Sequence, residues 1–481
     1  MKAKAGFHIG VTCPGCGGEL ELQKDYFSLE CPHCGSVLRL KMPEKPPAYI
    51  LPARKNKREI RFQVDRWLKQ NGLPLTRSEF TLRRIYAPYW KIEAIRLKVG
   101  HMKTRQEVGQ SNFLTTQLDY HGVFQYGRAI GKALTRGGGD QVRTKVKLSP
   151  FTSTVTAGPP LAGMPASIGM RSEYIKAYPF SRDRADDQFE YLPVAVPWNQ
   201  IIEQAQKSVS HKARLNAGVG GKAHSELFNP TGSLIYFPYF IVDSETGDSN
   251  VRLFLDGLSG RIEHADHNPR DWETGEGMSP ASGDWGELTV DFHRCGNCGV
   301  DLPADQSSVY ICQNCHEVTV LDSDLGIHDG IVSASLNGDD QQFPFWSLTI
   351  PPDILVQAGL SLPGNNPPER LVVPAFKIRN FDALARLCRR MTLTLPEMTT
   401  TAVKQYDQKF MPAAIGLSEA IAMAEIILHT AVLGKGRSLP DASMEFIPDR
   451  VGLVYAPFHP QNYFFVDSVL GTVTFEKCLV D

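Results

Sequence analysis

Apolar positions along this chain fall into short runs of two periods, one of two residues and one near 3.6, and the two kinds alternate from end to end. The densest runs are aromatic: Ile85-Tyr86-Ala87-Pro88-Tyr89-Trp90, Ile235-Tyr236-Phe237-Pro238-Tyr239-Phe240, Phe343-Pro344-Phe345-Trp346 and Val454-Tyr455-Ala456-Pro457-Phe458. Each predicts a strand. Its proline lacks an amide donor and is expected at the start or edge of that strand, with the aromatics packed against a helix. Two of the runs lead into a second strand closed by an Asp and Gly turn, Asp256-Gly257-Leu258-Ser259-Gly260 and Asp467-Ser468-Val469-Leu470-Gly471.

Helical periods precede the same runs. Ile201, Ile202, Ala205 and Val209 follow Tyr191-Leu192-Pro193-Val194-Ala195-Val196, and Ile421, Ile427, Leu428 and Val432 follow Phe410-Met411-Pro412-Ala413-Ala414-Ile415. Tyr191 precedes Tyr236, and Phe410 precedes Tyr455, by 45 residues each, which argues for internal duplication. A third likeness joins Ile50-Leu51-Pro52-Ala53, followed by Ile60, Val64, Trp67 and Leu68, to Val372-Val373-Pro374-Ala375, followed by Leu384, Leu387, Cys388 and Met391. Cys388 falls on the apolar helix face, and Cys388 and Cys478 read as packing residues. Residues 417–433 form the most apolar stretch, but Glu419, Glu425 and His429 interrupt it, so it predicts a buried helix and not a membrane span.

The other eight cysteines change the picture. Cys13, Cys16, Cys31 and Cys34 form one CxxC pair of pairs, and Cys295, Cys298, Cys312 and Cys315 a second, with 14 and 13 residues between the pairs. Two knuckles at that spacing present four thiolates to one tetrahedral metal, so the chain is expected to carry two zinc ribbons with two structural zinc ions. A four-cysteine site has no open coordination position and cannot activate water. Disulfides, redox pairs and iron are the alternative uses. Gly17, Gly35 and Gly299 follow the second cysteine of their knuckles, where the turn around the metal calls for positive φ, and His316 stands at the fourth such position.

Composition sets the remaining bounds. The 481 residues are 42% hydrophobic and 21% charged, as expected of a multidomain globular protein, and 41 Gly with 33 Pro imply many turns. Residues 1–10 hold no apolar signal core, so the cytoplasm is the expected compartment. The net charge of −1 conceals a gradient: residues 1–150 hold 27 Lys/Arg against 12 Asp/Glu, and the remainder 24 against 40. The two parts are expected to face each other within the molecule or to be solvated. A basic surface for nucleic acid is the sharper reading. It would use Arg54, Lys55, Lys57, Arg58, Arg61, Arg66 and Lys69 around Trp67, and Arg83, Arg84, Lys91, Arg96 and Lys98 around Tyr86, Tyr89 and Trp90.

No catalytic constellation stands out. Gly218-Val219-Gly220-Gly221-Lys222 departs from phosphate-loop spacing, with Ala223 in place of the Ser/Thr. His264, Asp266 and His267 are candidate ligands in a polar stretch with no regular helix to hold them. HExxH, GxSxG and GxGxxG are missing.

The CPxCG ribbon, the Leu-Pro-Ala helix, the Tyr-x-Pro-Tyr-Trp and Tyr-x-Pro-Tyr-Phe runs and the Asp-Gly-x-x-Gly turn resemble a group of uncharacterised bacterial zinc-ribbon proteins. Some are labelled after the primosomal replication factor Y helicase. The label reflects the ribbon; helicase phosphate-loop and DExH-type signatures are absent, so helicase activity is not implied. The resemblance implies zinc on the eight cysteines. Peripheral membrane contact would rest on related ribbon proteins that accompany membrane-stress proteins, and no residue here supports it.

The expected architecture is α+β and multidomain, each ribbon followed by duplicated α/β modules with short antiparallel sheets. The expected units are ribbon 1 (1–45), a module with a basic, Gly-rich excursion (46–178), a second module (179–264), a linker (265–290), ribbon 2 (291–325) and duplicated modules (326–481). Within the excursion Val142, Thr144, Val146 and Leu148 alternate with Arg143, Lys145 and Lys147, which predicts a strand with one basic, wet face. The expected function is a non-catalytic zinc-binding scaffold or adaptor for protein partners. The alternative is a nucleic-acid-binding factor using the basic first 150 residues.

Overall fold

A computed structural model describes residues 8–23, 28–41, 43, 45–73, 80–104, 141–159, 163–169, 176–180, 188–215, 222–246, 249–267, 269, 285–286, 288–304, 307–321, 326–334, 340–360, 367–395, 398–404, 406–434, 446–469 and 471–480. It is an α+β fold, mostly sheet, with five α-helices among the described residues. The chain opens with two small hairpin strands, β1 (His8–Thr12) and β2 (Glu19–Gln23), followed by β3 (Ser28–Glu30) and β4 (Val37–Lys41). An eight-stranded sheet follows. It is built from β5 (Ala48–Ile50), β6 (Thr81–Thr104), β7 (Gln141–Thr156), β8 (Tyr178–Pro179), β9 (Glu190–Tyr191), β10 (Lys222–Thr246), β11 (Ser249–Asp256) and β12 (Ile262–His267), with helices α1 (Lys57–Gln70) and α2 (Trp198–Leu215) between strands. Segments on both sides of residue 178 thus contribute to a single sheet.

The second half also opens on short strands beside a cysteine set and continues into a sheet with helices, in a different element order. β13 (Thr289–Phe292), β14 (Val309–Ile311) and β15 (Val318–Val320) precede a seven-stranded sheet. Its members are β16 (Ile331–Ala334), β17 (Gln341–Thr349), β18 (Arg370–Pro374), β19 (Thr400–Ala402), β20 (Arg450–Gln461), β21 (Phe464–Asp467) and β22 (Thr474–Glu476). Helices α3 (Pro352–Ala358), α4 (Phe381–Thr394) and α5 (Leu417–Gly434) lie among them. The expected short antiparallel sheets are therefore corrected to large mixed ones, in which β5 runs parallel to β10, β9 to β6 and β16 to β20.

The four proline runs occupy the two central strands of each sheet. β6 pairs antiparallel with β10, and β17 with β20. Pro88 lies opposite Tyr236 and Pro238 opposite Tyr86; Pro344 lies opposite Tyr455 and Pro457 opposite Gln342, the same two-residue offset. Each proline sits inside its strand where one flanking partner ends and the next begins. β9 gives way to β7 at Pro88, β5 to β11 at Pro238, the Phe410 bridge to β18 at Pro344, and β16 to β21 at Pro457. A residue with no N–H fits a ladder only where no acceptor faces it. The proline carbonyls are used alike, accepting from Ala157, Gly257, Ala375 and Ser468 N–H at 2.9–3.0 Å. Trp90 and Trp346 donate from Nε1 to Val196 and Ile415, each two residues before a helix.

The third likeness in the sequence does not carry over. Ile50 pairs parallel with β10, whereas Val372 pairs antiparallel with β17, so the two Pro-Ala segments hold different sheet positions. Cys388 is buried on α4, and burial pushes its thiol up to about 12. Cys478, also read as a packing residue, is exposed in the short 3-10 turn Lys477–Leu479.

Alternation along β6 divides the first sheet's faces. Ile85, Ala87 and Tyr89 pack toward ribbon 1, while Tyr86, Trp90 and Ile92 pack under α1 and α2. Farther along, β6, β7 and the first half of β10 continue as a three-stranded antiparallel arm. Ile95, Leu97, Val99, Leu148 and Phe228 of the arm join the core of the second half. They cover α5, where Phe228 meets the His429 ring edge-on at 4.9 Å between centroids. Together with α3 and β18 of its own half, that cover buries α5. The excursion strand is present as β7, with Leu148 buried and Lys147 exposed; Gly137-Gly138-Gly139 lies outside the described residues.

Candidate metal centres

All four knuckles have one geometry. In each, the first cysteine's N–H is bonded to the carbonyl five residues on (Gly18, Ser36, Val300, Glu317), and its carbonyl accepts from the residue four on (Gly17, Gly35, Gly299, His316), at 2.8–3.0 Å. Those four residues have φ of 72°, 73°, 74° and 61°. The first three are glycines, as their place in the turn requires. His316 adopts the same left-handed conformation without that freedom, and its ring Nδ1 lies 2.9 Å from the Lys404 carbonyl.

The knuckles bring the sequence-predicted ligands together as two tetrads, each with all sulfurs within 4.8 Å of one another. Closest contacts are Cys13–Cys34 at 3.7 Å, Cys16–Cys31 at 3.9 Å, Cys295–Cys315 at 3.5 Å and Cys298–Cys312 at 3.5 Å. A disulfide would bring two sulfurs to about 2.0 Å, whereas four thiolates at about 2.3 Å from a tetrahedral ion stand about 3.8 Å apart. The sulfur positions fit a metal ion and not a pair of disulfides. Hydrogen bonding prepares a thiolate in the first set and two in the second, where the backbone N–H groups of Cys298 and Asn297 also lower Cys295. The Ser36 hydroxyl and N–H lower Cys34 to about 6, and the Asn314 side chain and Val300 N–H lower Cys298 to about 6. The backbone N–H of Gly18 favours the Cys16 thiolate too, but burial and the three neighbouring thiols outweigh it and push Cys16 up to about 12. Four such charges are held together only by a cation between them.

Both centres sit in a seam. Ribbon 1 docks on the first sheet through Gly10 N–H to the Ala177 carbonyl and through Glu19, which meets Lys176 and Tyr178. The fit is close: a Cβ on Gly10 would stand 2.6 Å from Lys176 and 2.7 Å from the Tyr178 ring. Ribbon 2 docks on the second sheet through Ser308, whose N–H and hydroxyl both donate to the Ala413 carbonyl at 2.8 Å. The ribbons also join each other. β13, the strand entering ribbon 2, pairs with β4 of ribbon 1, His293 N–H donates to the Val37 carbonyl, and the Ser28 and Tyr310 hydroxyls meet at 3.3 Å.

The weaker candidates separate. β12 sends His264 toward Phe254 and His267 toward Trp67, on opposite faces, with Asp266 between them, so the three do not converge. The Gly218–Gly221 turn lies outside the described residues, and Lys222 opens β10. Of the basic and aromatic sets, Tyr86, Tyr89 and Trp90 are core residues, Lys91 is buried against Glu93, and Arg83 is paired with Glu190. A cluster that the sequence did not show joins the halves: Glu226 of the arm lies 3.2 Å from His224 and 3.9 Å from His429 of α5. His429 is far in sequence from His224 and Glu226, and the three share no motif. Comparison with models of protein families, with curated proteins and with solved structures finds no match.

Proposed function

We propose that this protein is a non-catalytic scaffold in which two structural zinc ions, one on Cys13, Cys16, Cys31 and Cys34 and one on Cys295, Cys298, Cys312 and Cys315, hold two duplicated halves together and present them to protein partners. The observation that carries this reading is the seam. Each closed tetrad belongs to a ribbon bonded to its own sheet, and the two ribbons share the β4–β13 ladder. Metals placed there govern relative position, and four-sulfur coordination leaves them no site for substrate. The matching proline registers and the matching Trp90 and Trp346 bonds support the duplication. A partner surface is on offer at the β20–β21 turn, where Asn462 has positive φ, Tyr463 is 82% exposed and Phe464 is exposed beside it.

The test uses the full chain. Two zinc ions per chain are expected, and Cys13→Ser should leave one and release the β4–β13 ladder to hydrogen exchange. Affinity purification with nuclease treatment should recover a discrete protein set, which Cys13→Ser or Tyr463→Ala diminishes. Two ions retained by Cys13→Ser, or an unchanged partner set in both variants, would overturn the reading.

A further inference from the structure

We propose that the α1 face of the first sheet binds single-stranded nucleic acid, with Phe62 as the stacking platform and Arg58, Arg66 and Lys69 on the phosphates. α1 buries Ile60, Val64 and Leu68 against the sheet, so its charged side is turned outward. On that side Phe62 is 64% exposed, one helical turn from Arg58 and one from Arg66, with Lys69 a turn farther on. Arg54, Lys57, Arg58, Arg66 and Lys69 are exposed and have no ion-pair partner among the described residues. The helix's own acid near its start, Glu59, is taken up by the Asn56 capping box and Lys55.

The same sheet face is basic beside α2 as well, where Gln206 and Ser210 reach Leu227 and Ser225 opposite Arg96 and Lys98. Arg96 and Lys98 share it with Tyr86, Trp90 and Ile92, and Lys98 lies directly opposite Lys147 on β7. Like charges placed opposite each other weaken a strand pair, and an anion laid across them relieves the repulsion. Burial, Arg96 and Lys147 all lower Lys98 from its ordinary value, in agreement with that crowding. Tyr86 and Lys98 are 12 residues apart on β6, about 40 Å of strand, a length suited to an extended polymer more than to a compact anion. The ribbons and the core of the second half lie on the other face, away from the outward side of α1.

The chemistry favours a nucleic acid strand over a lipid surface. A membrane-bound amphipathic helix turns its apolar side outward, and here that side is against the sheet. One exposed ring between arginines stacks on an unpaired base while the guanidinium groups reach phosphates on either side.

Fluorescence anisotropy of the zinc-loaded full chain with labelled oligo-dT tests this across a salt series. Binding should weaken steeply with salt. Phe62→Ala should weaken it by roughly 5- to 100-fold with the salt slope unchanged, and Arg66→Gln should lower the slope by about 0.7. Arg389→Gln, which removes an exposed charge from α4 of the second half, should change neither. The exposed substitutions leave the core intact, and unchanged thermal melting checks this. No binding at low salt, equal loss in Arg389→Gln, full affinity in Phe62→Ala, or equal binding of polyglutamate or of anionic phosphatidylserine vesicles would each overturn the proposal.

Discussion

At the scale of single residues, the conformations most constrained by the metal sites are also the most legible. Gly17 has positive φ with open space around its missing Cβ, so Gly17→Ala strains only the backbone. It should cost about 1 kcal/mol, read as faster loss of bound metal to a chelator. His316→Gly is expected to keep both ions, because glycine relieves the same backbone at the fourth knuckle. Glu226 was not legible, because its partner His429 is 203 positions away and only folding brings them together. Burial opposes its charge, yet the His224 hydrogen bond and the His429 charge outweigh burial and hold its carboxyl below the ordinary value. A lowered carboxyl stabilises the fold above its unfolded value, and the gain is lost as the pH falls through the folded value. Arm protection in hydrogen exchange should therefore hold at neutral pH and fall below about pH 4.5, and Glu226→Gln should remove that acid step.

At the scale of elements, period alone identified α1, α2, α4, α5 and the aromatic strands but not α3 or the strands' neighbours. The proline runs read as strand starts or edges because a central strand cannot spare a donor. The structure spares it by changing flanking partners at that residue, an arrangement that depends on distant strands, β5 at residues 48–50 flanking the Pro238 run for one. α5 is a further case. Its high apolarity called for burial, and part of the cover comes from the arm of the other half. Phe228→Ala removes the ring that meets His429 and should cost about 3 kcal/mol, seen as early exchange of α5 amides while β11 and β12 stay protected.

At the scale of the whole molecule, the halves meet twice, at the ribbon ladder and at the arm on α5. A core cluster that includes both halves should melt as one unit. Calorimetry of the zinc-loaded chain is expected to show a single transition, and Leu97→Asp, which places a charge in that core, should split it in two. The sequence by itself determined the two cysteine tetrads, the α+β class, the aromatic strands and the buried character of α5, because each rests on local spacing: two residues between paired cysteines, period 2 in strands, period 3.6 in helices. Only the tertiary structure decided which strands flank each proline, that β13 joins ribbon 1, that Cys478 is exposed, and which basic residues are left at the surface. Those outcomes are set by pairing and burial between distant segments, and a side chain's charge or ring has the same letter whether it ends in the core or in solvent.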